Sequence, residues 1–232
     1  MRIAGLIKTS LIDYPGKLAA VVFTQGCNFR CGFCHNPDLI PGTGEGRLSE
    51  LEFFQFLASR EGVLEGVVIT GGEPTVQADL PQFIAKIKEY GYAVKLDSNG
   101  SNPKMLKDLI EAKLIDYVAM DIKGPLESYD KIAHFSGSEN ITESIKIIME
   151  SGLGYEFRTT VLPFFHQISE FEEVGKLING ANRYAIQGFR PDVTFDRVLH
   201  EAIPFNKDEL EQIAGIMRRY VKEVVIRENN SQ

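Results

Sequence analysis

Apolar residues in this chain fall into short β-branched runs, separated by longer stretches where they recur every three or four positions. The runs predict strands at 18–24, 67–70, 92–97, 117–122, 157–161 and 184–187, with a last one at 224–226. They read as continuous apolar runs more than strict alternations, as in a parallel sheet covered by helices. The stretches between them carry helix start signals. Ser49 with Glu52 makes a capping box, and Leu48 with Phe53 its hydrophobic staple. Asn102 before Pro103 is an N-cap with proline at the first helical position. Ser169 with Glu172 and Asn206 with Glu209 repeat the polar-then-acidic pattern. Gly152 and Gly180 stand where helix ends need a left-handed residue. Two stripes, Phe171, Val174, Leu177, Ile178 and Leu210, Ile213, Ile216, Met217, Tyr220, predict faces turned to a core.

Six strand–helix units without linker, repeat or low-complexity segment predict one α/β domain over residues 1–232. The expected architecture is an incomplete parallel (β/α)6-type barrel, short of the eight units of a closed one. Such folds carry their site at the C-terminal ends of the strands. Polar and glycine-rich residues gather there. Gln25-Gly26 ends the first strand, Gly71-Gly72-Glu73-Pro74 the second and Asp97-Ser98-Asn99-Gly100 the third. Asp121 and Lys123 close the fourth, Arg158 lies on the fifth, and Gln187 ends the sixth.

Composition narrows the classes. A hydrophobic content of 44% fits a full globular core. The formal charge of −7 argues against a nucleic-acid binder, which needs a basic patch. No apolar run reaches the roughly 18 residues of a membrane span. Met1–Gly5 lack the character of a secretory leader, so a cytoplasmic protein with reduced thiols is expected.

All three cysteines, Cys27, Cys31 and Cys34, sit in one Cys-x-x-x-Cys-x-x-Cys segment. Three thiolates fall one short of a structural zinc site or a fully ligated iron–sulfur cluster, leaving a coordination position open for chemistry. Zinc held by these cysteines and His35 is the competing reading, although neighbours Cys34 and His35 point opposite ways in extended backbone. A disulfide with one leftover thiol would suit a secreted protein.

The cysteine segment followed by Gly71-Gly72-Glu73-Pro74 resembles the radical S-adenosylmethionine (SAM) enzymes, and the resemblance covers nearly the whole chain. More narrowly, Ser10-Leu11-Ile12-Asp13-Tyr14-Pro15-Gly16 and Cys34-His35-Asn36-Pro37 resemble the glycyl-radical-enzyme activases, with closest likeness to activating proteins of anaerobic ribonucleoside-triphosphate reductases. The resemblance implies a 4Fe-4S cluster on Cys27, Cys31 and Cys34, whose fourth iron chelates SAM. One electron then cleaves SAM to a 5′-deoxyadenosyl radical, which takes hydrogen from a glycine Cα of a partner enzyme. It also implies Phe33 beside the adenine, Gly71 and Gly72 close to the ligand, and Glu73 accepting from the SAM ammonium. Asp97 and Ser98 fall near the methionyl end, with a monovalent cation; Asp121, Lys123 and Arg158 fall around the SAM carboxylate and amine. These last three also read as a buried ion-pair network at the barrel mouth. His35 and Asn36 are expected to hydrogen-bond cluster sulfides or their thiolates. His134, His166 and His200 receive no role.

One departure stands out. Some activases place a ribose-contacting histidine near the end of the sixth strand, where this chain reads Tyr184-Ala185-Ile186-Gln187-Gly188. Gln187 is the candidate substitute, and Pro191, Asp192 and Phe195 begin a loop expected to meet substrate. With no further cysteines, one cluster is expected, fed by an external donor such as a flavodoxin or ferredoxin. An incomplete barrel leaves a lateral opening suited to a protein loop. Two alternatives stay open: a small radical SAM enzyme resembling the 7-carboxy-7-deazaguanine synthases, which act on a small pterin, and a non-catalytic zinc scaffold.

Overall fold

A computed structural model describes residues 1–42 and 47–228. Eight strands form one sheet in sequential order: β1 (Ile3–Ser10), β2 (Ala19–Thr24), β3 (Gly66–Gly71), β4 (Ala93–Ser98), β5 (Tyr117–Asp121), β6 (Gly154–Val161), β7 (Arg183–Gly188) and β8 (Glu223–Arg227). Strands β2 to β8 run parallel. β1 pairs antiparallel with β2 and is bulged at both ends of the pairing. Among the described residues β1 and β8 do not pair, so the barrel is open on one side.

Among the described residues seven α-helices accompany the sheet: α1 (Glu50–Ala58), α2 (Leu80–Glu89), α3 (Pro103–Glu111), α4 (Tyr129–Ala133), α5 (Ser138–Glu150), α6 (Phe171–Leu177) and α7 (Lys207–Met217). Three of the expected starts form as read. Ser49 and Glu52 bond reciprocally, as do Asn206 and Glu209, and Asn102 accepts from the Met105 N–H. Gly152 and Gly180 take φ of 72° and 88°. The Ser169 and Glu172 start is corrected. Gln167 and Glu170 form the box two residues earlier, and Glu172 instead accepts from Tyr220 Oη and Arg219.

β1 was not expected. It is an edge strand with only Ile3, Ala4 and Ser10 buried, too sparse a pattern to stand out. The reading of the strands as uninterrupted apolar runs is also revised, because the two sheet faces differ. Val94 and Leu96 of β4, like Tyr155 and Phe157 of β6, join the main core beneath the helices. Their neighbours Lys95, Asp97 and Arg158 face the concave interior and line its cavities. Below those charges a small second core of Tyr14, Ala19, Val21 and Val68 fills the interior.

Candidate active site

The cysteine segment leaves β2 through Gly26 and is tied at both ends. Gln25 Nε2 donates to the carbonyls of Asp38 (3.0 Å) and Pro41 (2.9 Å), drawing the far end of the loop back to its start. The Gly26 and Cys27 N–H groups donate to Leu39 and Ile40. Asn28 reaches the turn after β4, accepting from Asn99 Nδ2 (2.9 Å) and donating to Ser101 Oγ (2.8 Å). Phe29 packs edge-on against Tyr129 and tilted against Phe135.

The three thiols open into one cavity of about 310 Å³ at the C-terminal ends of the strands. Phe33, Gly71, Gly72, Glu73, Asp97, Ser98, Asp121, Lys123 and Arg158 line the same cavity, as do Asn99 and Gln187. The structure thus brings every residue expected around the cluster and SAM to one place. Burial pushes the Cys27 thiol up to about 12 against a bond from the Phe29 N–H. Burial likewise takes Cys31 to about 11 against the pull of the Lys123 ammonium, and raises Cys34 as well.

The donor set fits a three-thiolate cluster better than a single ion. No three His, Cys, Asp or Glu side chains among the described residues are gathered tightly enough to hold one metal ion. His35 is turned to Arg190, its Nε2 lying 3.2 Å from that carbonyl, and its ring stacks on Phe189. The Asn36 N–H points to the Cys34 thiol.

Gly71 and Gly72 hold β3 against the cysteine loop. A Cβ on Gly71, whose φ is 115°, would lie 2.3 Å from Thr24 N, and one on Gly72 would lie 2.1 Å from Gly26 O. The Glu73 N–H donates to Gly26 O (2.8 Å). The Glu73 carboxylate is 1% exposed and collects four donors: Thr75 N–H, Thr75 Oγ1, Ser98 Oγ and the Asn99 N–H. Burial raises its pKa, and those donors pull the other way. Ser98 is therefore a donor to Glu73, and Asn99 is more than a turn residue.

An ion-pair chain crosses the interior. Lys95 bonds Asp97; Arg158 bridges Asp97 (3.2 Å) and Asp121; Lys123 bonds Asp121 (2.9 Å). Burial is the largest single influence and disfavours the charged carboxylates, but Arg158 and a lysine together outweigh it at each acid. Lys123 helps at Asp121 and Lys95 at Asp97, and both acids sit below the usual range. Three cations against two carboxylates leave one positive charge to spare. The Lys123 ammonium also stands 5.7 Å over the Phe33 ring. Lys95 was missed from sequence because a single lysine in a strand gives no sign of its partners.

Arg158 and Gln187 also line a second cavity of about 700 Å³, walled by Ile12, Asp13, Lys95, Glu156 and Arg227 on the open side of the barrel. The loop at Pro191, Asp192 and Phe195 does not enter the cysteine cavity. It lies outside, tied to the cysteine segment by the Asp196 N–H donating to Gly32 O (2.9 Å).

A part-open parallel barrel with three converging thiols and an ion-paired cleft at its strand ends defines a class of metal-cluster enzyme. Residues 21–178 match the model of the Radical SAM superfamily. A Methanocaldococcus jannaschii protein named as a glycyl-radical enzyme activating enzyme is 35% identical over 236 residues, covering 98% of this chain and 96% of its own. The pyruvate formate-lyase-activating enzyme of Clostridium pasteurianum is 30% identical over 77% of this chain and 75% of its own. The crystal structure of QueE from Escherichia coli shares the fold, with a TM-score of 0.55 at 14% identity, over 97% of this chain and 92% of that one. The chain belongs to the radical SAM superfamily, and within it to the family of glycyl-radical enzyme activating enzymes. Among the described residues no helix is long and apolar enough to cross a membrane.

Proposed function

We propose that this enzyme installs a glycyl radical on a partner enzyme, an anaerobic ribonucleotide reductase. The observation that carries the reading is the convergence of all three cysteines, the Gly71-Gly72-Glu73 turn and the Lys123–Asp121–Arg158 bridge on one cleft. The Ser10–Gly16 and Cys34–Pro37 motifs favour the reductase as partner. Cys27, Cys31 and Cys34 would hold the cluster, which when bound supplies the electron that cleaves SAM to the 5′-deoxyadenosyl radical.

The chain's own residues bind, orient and shield. Lys123 and Arg158 line the cleft where the SAM carboxylate would be met, a charge-assisted contact. Glu73 Oε2, with one partner in Asn99, keeps an acceptor position for the ammonium. Phe33 lines the cleft as the residue to meet the adenine, and Gln187 lines it as the residue to meet the ribose. Both oxygens of Asp97 already face cations of the chain, so the proposal gives a monovalent cation no place. The second cavity, open between β1 and β8, admits a partner's loop to Arg158 and Gln187. The electron comes from an external flavodoxin or ferredoxin in an anoxic cytoplasm.

The test is the EPR spectrum of anaerobically reconstituted, reduced protein with SAM and the host's anaerobic reductase. A glycyl doublet growing as the cluster signal fades is the expected result. A cluster signal perturbed by SAM without a doublet would remove the reductase as partner. No iron–sulfur signal at all would overturn the reading.

A further inference from the structure

Lys123 enters the cleft from a turn whose peptide groups are gripped by two side chains outside it. Its N–H donates to Tyr129 Oη (3.1 Å), and its carbonyl accepts from His166 Nε2 (2.8 Å). Both gripping residues are buried, His166 at 3% and Tyr129 at 1% exposure.

The histidine's protonation follows from its other nitrogen. Nδ1 lies 3.2 Å from both the N–H and the carbonyl of Leu162. That carbonyl already accepts the Phe165 and His166 N–H groups, so Nδ1 is left to accept from the Leu162 N–H. Nε2 then carries the proton and donates to Lys123. Burial lowers the pKa of the ring, consistent with this neutral tautomer.

The grip is packed on every side. His166 lies against Phe171 of α6, and Tyr129 meets Phe29 of the cysteine segment edge-on. Gly124, next in the turn, brings bare backbone against the ring; a Cβ there would lie 3.6 Å from His166 Nε2 and 2.9 Å from Ile132 Cδ1. Lys123 has four side-chain bonds to rotate, and its ammonium is useful over Phe33 and Asp121 only if its Cα is fixed.

We propose that His166, together with Tyr129, is a positioning residue for Lys123, and that it sets the affinity of the cleft for the carboxylate end of SAM. The effect on SAM rests on the role proposed above for Lys123; the grip on the turn does not.

Two measurements test it. The first is SAM affinity of cluster-loaded protein, for His166→Met and His166→Gln, each in the native and Lys123→Ala backgrounds. Methionine fills the space without a donor, while glutamine returns an N–H near Nε2. His166→Met should weaken SAM binding about tenfold, in line with losses from outer-layer partners at other sites. His166→Gln should stay within about twofold of the native protein. In the Lys123→Ala background the His166→Met loss should vanish. An equal loss in both backgrounds, or none in either with Lys123→Ala itself impaired, overturns the proposal.

The second measurement is hydrogen exchange at the Lys123 amide in metal-free protein, expected to quicken about tenfold in His166→Met. Unchanged exchange overturns the grip. If Lys123→Ala binds SAM normally, the proposed role of Lys123 falls, and exchange alone decides whether the grip exists. Should His166→Met not fold, Tyr129→Phe, which removes the acceptor for the Lys123 N–H, takes its place in both measurements.

Discussion

A methyl group on Gly72 would sit 2.1 Å from the carbonyl oxygen of Gly26, the same oxygen that accepts the Glu73 N–H. The end of β3 and the start of the cysteine segment are therefore in backbone contact. Gly72→Ala must push the two apart. The expected cost is about 1–3 kcal/mol of stability, as for other overpacked sites. Iron bound on anaerobic reconstitution should fall with it, and thermal melting with iron analysis checks both.

Cys27→Ala, Cys31→Ala and Cys34→Ala should each abolish the reduced-cluster EPR signal while leaving far-UV circular dichroism unchanged. The three thiols are the proposed ligand set, and none takes part in a disulfide. Iron chelation of the native protein should produce the same loss, reversed by adding iron and sulfide back. A cluster signal that survives any one of these substitutions would remove that residue from the ligand set.

Arg158 alone bridges Asp97 and Asp121. Arg158→Met leaves two carboxylates in the interior without it, and stability should fall by about 3–5 kcal/mol. Arg158→Lys keeps the charge but loses the planar fork that spans both acids, and should lie between the two. Urea unfolding of the metal-free chain measures the series.

The same acids set a pH dependence. Both are held below the ordinary carboxylate range, so their pairing stabilises the fold above the unfolded value of roughly pH 4 and is lost as pH falls below it. Glu73 acts in the opposite sense: its raised folded pKa means that ionisation costs stability as pH rises past its unfolded value. The advantage of native protein over Asp121→Asn should therefore be largest near neutrality and shrink towards pH 3. Urea unfolding at both ends of that range checks the sign.

Gln25→Ala removes two hydrogen bonds, to Asp38 and Pro41, that draw the loop closed. A loss of about 1–3 kcal/mol is expected. Hydrogen exchange at Leu39 and Ile40, and the lifetime of the reconstituted cluster in air, should report a looser loop.

Much of this was legible in the sequence because local chemistry and global fold agree. Asn102 and Asn206 cap helices where their spacing to Met105 and Glu209 puts them. The cysteines, Gly71-Gly72-Glu73 and Asp121 stand at strand ends, where a parallel barrel places its site. Illegible were the features that depend on curvature. Lys95 reaches Asp97 from two positions earlier on the same strand, but Arg158 lies two strands away in the sheet, and only the curl of the barrel brings it to Asp97. Asn28 and Asn99 look like loop residues until the segments after β2 and β4 meet beyond the end of β3, which lies between them. β1 escaped notice because it buries so few side chains, and His166 because its partner is a backbone carbonyl that no side-chain pattern can reveal.

The strand order has a bearing on synthesis. Each strand pairs with the one made just before it, so the sheet can grow in step with the ribosome. The cysteine segment follows the second strand, while Arg158 and Gln187 belong to the sixth and seventh. A nascent chain therefore shows its three thiols to the cell long before the walls that enclose them exist. Cluster delivery has its earliest opportunity during translation, and so do stray zinc and oxygen.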